Sequence, residues 1–233
     1  MESKRGKLIV IEGTDGSGKA TQTELLASYL RSKGHNVECF DFPRYGKRSA
    51  AMVEDYLNGL FGSAEEVGPF RGSLFYAIDR YAASFEIKKA IEQGKIVLSN
   101  RYVSANMGHQ TGKIKNPEQR ETFLEWLEDL EFNKFGIPKP DVVFLLLMPV
   151  EIGQLLVDKK EKRGYTDKKR DIHEADLQHL KDAEDAYKYC AKKYKWEIIN
   201  CASGIIVESV RTKEDIAQEI RNKAEEILKE NAK

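Results

Sequence analysis

Residues 13–22 read GTDGSGKATQ. The run comes within one position of the phosphate-cradling pattern G-x-x-x-x-G-K-[ST]. Gly13, Gly18 and Lys19 fall into place, and Ala20 stands where the pattern has a hydroxyl residue. Before it, KLIVIEG (7–13) reads as a buried strand, four apolar residues in a row ended by glycine. After it, residues 18–33 read as a helix stopped at Gly34, a residue suited to the left-handed cap. Strand, glycine-rich loop and helix are the context in which the motif binds phosphate.

In such a loop, glycines let the backbone N–H groups close around an anion, and the helix that follows points its positive end at it. Lys19 adds a mobile charge for the outer phosphates. The stretch Gly13, Thr14, Asp15, Gly16, Ser17, Gly18, Lys19, Ala20, Thr21 is therefore the candidate ATP-phosphate cradle. Ala20 cannot ligate a cation. Thr21 is next door, but one residue turns about 100° around a helix. Its hydroxyl does not simply replace the missing one. Magnesium retains several waters and often takes only one or two protein ligands. The alanine thus implies weaker protein ligation of the metal, whose ligands the sequence leaves unknown.

Working outward, NVECFDFP (36–43), KIVLSNRY (95–102), DVVFLLLM (141–148) and WEIINC (196–201) read as further strands. Helical patterns fill 47–60, 70–93, 117–133, the stretch on either side of a basic loop up to about 193, and 213–230. Alternating strands and helices with continuously apolar strands imply an α/β fold, a three-layer α/β/α arrangement around a five-stranded parallel sheet. Such sheets bind ligands beyond the carboxyl ends of their strands. No linker or repeat divides the chain, so residues 1–233 are expected to form one domain.

Lys+Arg and Asp+Glu both number 38, which gives no net field favouring nucleic acid or a membrane surface. Three cysteines without a C-x-x-C pair favour free thiols in a reducing compartment. The first apolar run is too short for a signal peptide or a membrane span, so a soluble cytoplasmic protein is expected. The four histidines make no metal-ligand set, and no hydrolase G-x-S-x-G motif is present.

With these segments in hand, the chain resembles the thymidylate kinases, within the P-loop nucleoside monophosphate kinases. IEGTDGSGKATQ is similar to their phosphate loop, FPRY (42–45) to their Phe-Pro-x-Arg segment, and LFYAIDR (74–80) to their base-reading segment. NRYVSANMGHQ (100–110) resembles their Asp-Arg-Tyr/His…Gln segment, and EKRGYTDKKRDIHE (161–174) their lid, here about 159–174. The resemblance implies ATP as donor, thymidine monophosphate as acceptor, Mg2+, and a homodimer. It also implies roles. Lys19 would bridge phosphates, and Arg101 would lie between the two nucleotides' phosphates. Asp15 would contact the acceptor's 3′-hydroxyl, Tyr76 would stack on thymine, and Arg80 would bond its edge. Phe42, Asn100, Ser104 and Gln110 join the acceptor side. Arg44 would hold the acceptor phosphate, although the spacing after Pro43 is one residue short, which brings in Tyr45 and Arg48. Ala20 and Asn100 depart from the family pattern, which has a hydroxyl and an acid there. Losing an acid and a hydroxyl near the same site implies that the metal is held less by the protein.

The residues also speak for themselves. KKEKRGYTDKKR (159–170) carries seven basic residues in twelve, a loop fit to close over phosphates with Arg163 or Arg170 as the catalytic arginine. Arg101 follows a buried strand, where a charge is expensive without an anion. Tyr76 lies four residues before Arg80, on one helix face, a flat ring beside a hydrogen-bonding arginine. Most of the other aromatics of that helix, Phe70, Phe75, Tyr81 and Phe85, are expected in the core, and His109 is a further residue to line the pocket. Two rivals stay open beside a thymidylate kinase: a kinase of another deoxynucleoside monophosphate, and a nucleotide-binding sensor without catalysis.

Overall fold

A computed structural model describes residues 5–158 and 177–229 of the chain. Five strands, β1 (Lys7–Gly13), β2 (Val37–Asp41), β3 (Ile96–Asn100), β4 (Val142–Leu147) and β5 (Glu197–Asn200), form one parallel sheet in the order β2-β3-β1-β4-β5. The helices are α1 (Lys19–Ser32), α2 (Ala51–Leu57), α3 (Ala64–Glu92), α4 (Val103–His109), α5 (Pro117–Glu128), α6 (Val150–Asp158), α7 (Leu177–Tyr194) and α8 (Lys213–Lys229).

Alternation along β1 explains the three layers. Leu8 and Val10 face one apolar cluster, with Ala83 of α3, Met107 of α4, Phe123 of α5 and Cys190 of α7. Ile9 and Ile11 face the other, with Leu26 of α1 and Ile220 of α8. A strand with apolar residues on both faces is stable only between two helical layers. The same alternation carries Glu12 onto the Leu8–Val10 side, where it is fully buried.

Three local features depart from the sequence reading. Helix α3 begins at Ala64, because Ser63 and Glu66 form a capping box that bonds both backbone N–H groups. It then breaks at Gly68 (φ 72°, ψ 172°) before Pro69, so the helix read over 70–93 is its second segment. Helix α4 was not foreseen. The helix read over 117–133 ends as a π-helical turn, Asp129–Lys134, which turns Glu131 into the interior. The aromatics of α3 also divide: Phe70, Tyr81 and Phe85 are exposed, against the expectation that most of the group packs in the core. The segment read as a lid, with Arg163 and Arg170, lies outside the described residues.

Candidate active site

The loop between β1 and α1 turns through positive φ at Gly16 (80°) and Gly18 (87°). Gly16 also needs to be small: a Cβ there would stand 2.2 Å from the carbonyl oxygen of Gly153 in α6. Lys19 Nζ donates to the carbonyl of Thr14 at 2.8 Å and lies 3.7 Å from Asp15. The ammonium is thus folded back over the loop that would wrap a phosphate.

Beyond the strand ends, the loop opens into a cleft of about 330 Å³. Its walls include Asp15, Lys19 and Ala20 from the loop, Phe42 and Tyr45 after β2, Tyr76 and Arg80 from α3, and Asn100 and Arg101 after β3. Asn106, His109 and Gln110 of the α4 region complete it. The segments after three strands therefore meet in one crevice, as parallel topology requires.

Arg101 is the hub. It adopts φ 64°, an unusual conformation for a residue with a side chain, while its N–H still bonds Ile11 at the end of the ladder, 3.0 Å away. One guanidinium nitrogen lies 2.5 Å from Asp15 Oδ1; the other lies 3.5 Å from Glu12 Oε1 and 3.1 Å from His109 Nε2. Glu12 also accepts from the Ser104 hydroxyl (2.8 Å), the Tyr187 hydroxyl (2.9 Å) and the N–H of Gly13 (3.0 Å). Burial works against the Arg101 charge, but Asp15, Tyr187 and Glu12 overcome it and hold the guanidinium well above its ordinary range. Burial first, and Arg101 second, push His109 well below the usual imidazole range. The imidazole is therefore neutral, and because arginine only donates, Nε2 accepts and the proton sits on Nδ1. A fixed, fully charged arginine with a neutral neighbour is suited to meeting anionic phosphate.

On the acceptor side, Arg80 is buried in α3. Its Nε donates to Glu131 Oε2 at 2.7 Å, a second nitrogen bonds Glu131 Oε1, and the third bonds the carbonyl of Tyr102 at 3.3 Å. The carboxylate orients the guanidinium, and two of its five N–H donors are left for the cleft. Tyr76 meets Tyr56 edge-on at 6.3 Å. Gln110 Oε1 is buried without a hydrogen bond partner, as an acceptor awaiting a ligand donor would be. Asn100 Nδ2 bonds Asp41 at 2.8 Å, and its buried Oδ1 has no partner.

Of the expected acceptor-side residues, Arg44, Arg48 and Ser104 lie outside the cleft lining. Arg44 turns away to Asp79, its Nε at 3.0 Å and its backbone N–H at 2.8 Å from that carboxylate. Ser104 points beneath the site to Glu12. Gly13, Thr14, Ser17 and Thr21 of the loop do not line the cleft either, whereas Ala20 does. Asn106 was missed by sequence reasoning. Asn106, His109 and Gln110 are three and four apart and share one face, a spacing that selects Asn106 only once the short segment is known to be helical. Asp41 and Glu12 were missed as well.

A phosphate loop opening into an acceptor chamber at the carboxyl ends of a parallel sheet defines a P-loop nucleotide kinase. The sequence model of the family described as thymidylate kinase matches residues 11–212. This chain belongs to the thymidylate kinase family, and is a phosphotransferase of that kind. It is similar to thymidylate kinase from Mycobacterium tuberculosis (strain ATCC 25618 / H37Rv), 33% identical over 147 residues, 63% of this chain and 68% of that one. Thymidylate kinase from Desulfotalea psychrophila is 37% identical over 157 residues, 66% of this chain and 69% of that protein. A solved thymidylate kinase from Candida albicans shares the fold, with a TM-score of 0.64 at 19% identity, covering 98% of this chain and 93% of that one.

Proposed function

We propose that the protein transfers the γ-phosphoryl group of ATP to thymidine monophosphate, giving ADP and thymidine diphosphate. The observation that carries this reading is the placement of Arg101 between the phosphate loop and the chamber formed by Tyr76, Arg80, Asn106 and Gln110. Phosphoryl transfer needs positioning and positive charge more than covalent chemistry. The acceptor phosphate is already ionised, so no general base is required. Lys19 would hold the donor's outer phosphates and Arg101 the transferring group, with Arg163 or Arg170 completing the charge. Asp15 would take the sugar hydroxyl, Tyr76 the face of the base, and Arg80, Asn106 and Gln110 its polar edge. Phe42 closes the apolar side.

The donor set fits magnesium carried mainly by the nucleotide. Asn100 offers a buried oxygen without a partner, Asp41 stands beside it, and Ala20 offers nothing. Among the described residues no group of three or more metal-binding side chains exists, consistent with a cation that keeps most of its waters.

The functional unit is read as a homodimer. Phe70, Leu74, Ile78, Tyr81 and Phe85 form an exposed apolar stripe along one face of α3, at intervals of three and four residues. A second copy is its occupant, because one apolar helix face can pair with itself about a two-fold axis. No helix among the described residues is long and apolar enough to cross a membrane, and the reading places the enzyme in the cytoplasm.

The test is ADP release with ATP, thymidine monophosphate and a magnesium series, beside the other deoxynucleoside monophosphates. Turnover preferring thymidine monophosphate is expected. Preference for a different base would redirect the acceptor assignment, and binding of ATP without turnover on any acceptor would replace the kinase with a sensor.

A further inference from the structure

A second cavity, of about 390 Å³, lies below α4, between β4 and the junction of α7 with β5. The nucleotide reading does not use it. Its size is within the range of small-molecule sites. Val103, Met107, Val142 and Val143 give it an apolar floor, and Phe132 and Trp196 give it aromatic sides.

Three lysines and three acids line it, and two of the acids are held in ion pairs. Asp141 accepts from Lys7 Nζ at 2.9 Å and from the N–H of Leu8 at 2.8 Å. Glu197 accepts from Lys223 at 2.6 Å, and Glu128 from the Tyr194 hydroxyl at 3.2 Å. Two exposed lysines of the lining, Lys139 and Lys195, have no carboxylate within ion-pair distance among the described residues. Lys139 Nζ instead stands 5.2 Å from the centre of the Phe132 ring. Two lysines outside any ion pair, against the one unpaired carboxylate of Glu128, leave a positive balance over an apolar, aromatic-walled hollow and favour a ligand with a flat apolar body and one negative group.

We propose that this cavity is a binding site for a small aromatic anion, a carboxylate or sulfonate, distinct from the nucleotide cleft. The two sites share a wall. Ser104 lines the cavity and donates its hydroxyl to Glu12, which in turn holds Tyr187 and lies 3.5 Å from Arg101. Occupancy is therefore sensed at the hub of the active site through one buried hydrogen bond.

The experiment is a titration of the full chain with naphthalene-1-sulfonate, followed by backbone amide NMR with ATP present to fill the phosphate loop. The expected result is saturable, single-site shifts centred on Met107, Val143 and Trp196, with smaller relayed shifts at Glu12 and Arg101. Charge reversal at the mouth, Lys139→Glu with Lys195→Glu, should weaken binding about tenfold or more, and both side chains are exposed. Shifts centred on Tyr76 and the phosphate loop, shifts that never saturate, or unchanged affinity in the double variant would each overturn the site. Loss of the relay to Glu12 with the cavity shifts intact would overturn the coupling.

Discussion

Arg101 and Asp15, from the loops after β3 and β1, meet at 2.5 Å across the floor of the cleft. The contact joins the acceptor-side turn to the phosphate loop, and on the function proposed above its arginine faces both nucleotides. Replacement of Arg101 by Ala should lower kcat by about 10²–10³, the effect of losing one preorganised transition-state donor. Arg101→Lys should recover little, since lysine cannot reach Asp15, Glu12 and a phosphate with one planar fork. Steady-state kinetics on folded variants decide the point, and a Lys variant near wild type would remove Arg101 from its role.

Ala20 lines the cleft where the phosphate-loop pattern places a metal-holding hydroxyl. Ala20→Ser should lower the magnesium concentration needed for half-maximal turnover without a large change in KM for thymidine monophosphate. An unchanged magnesium titration would mean that this side chain does not face the metal.

Glu131 is fully buried against Arg80, which is itself 1% exposed. Removing one partner of such a pair leaves an uncompensated charge, at a cost of about 3–5 kcal/mol. Glu131→Ala should therefore lower the denaturation midpoint sharply. Glu131→Gln, which keeps the shape and one acceptor, should retain more stability but loosen Arg80 and raise KM for the acceptor. Equal KM values in Glu131→Gln and wild type would make the pair purely structural.

How far these residues were legible follows from the range of the interactions that place them. The phosphate loop and β1 are local: glycine spacing and a short apolar run specify them without the rest of the chain. The α/β layering follows from alternation, and needs only that strands be apolar on both sides. Arg80 was legible as a pocket residue through its spacing from Tyr76, but its partner was not. Glu131 is 51 residues away and is turned inward by a π-helical turn inside an otherwise ordinary helical pattern. Ser104 and Asn106 show the same limit at short range. Helix α4 has seven residues, too few for a periodic signal, so which face met the cleft was set by tertiary packing. Arg44 kept its place in the FPRY segment, yet Asp79 from α3 sets its direction.

The exposed stripe on α3 predicts assembly. Wild-type protein should behave as a dimer in light scattering, and Ile78→Glu, at a position 46% exposed, should yield a folded monomer. Circular dichroism distinguishes a monomer from an unfolded chain. A monomeric wild type, or a dimer indifferent to Ile78→Glu, would assign the stripe elsewhere.

Lys113 predicts a pH dependence of stability. Its Nζ donates to the Tyr56 hydroxyl at 2.8 Å and the Ala64 carbonyl at 3.3 Å, tying the α4 region to α2 and the start of α3. Burial pushes its ammonium down from 10.5 to about 7. Between those values the unfolded chain binds a proton that the folded protein does not, so this residue makes stability rise as pH rises from about 7. Cys190 and Cys201, thiols pushed up to about 12 by burial, act in the opposite sense above their ordinary 9.0. The informative window therefore lies below that value. Urea midpoints of wild type and Lys113→Met across it should diverge, with the positive slope present in wild type and flattened in the variant. At most, one proton contributes about 1.4 kcal/mol per pH unit to that difference. Parallel profiles would show that Lys113 stays charged in the folded protein, its ammonium sustained by the Tyr56 hydroxyl, the Ala64 carbonyl and the face of the Tyr56 ring, 5.5 Å away.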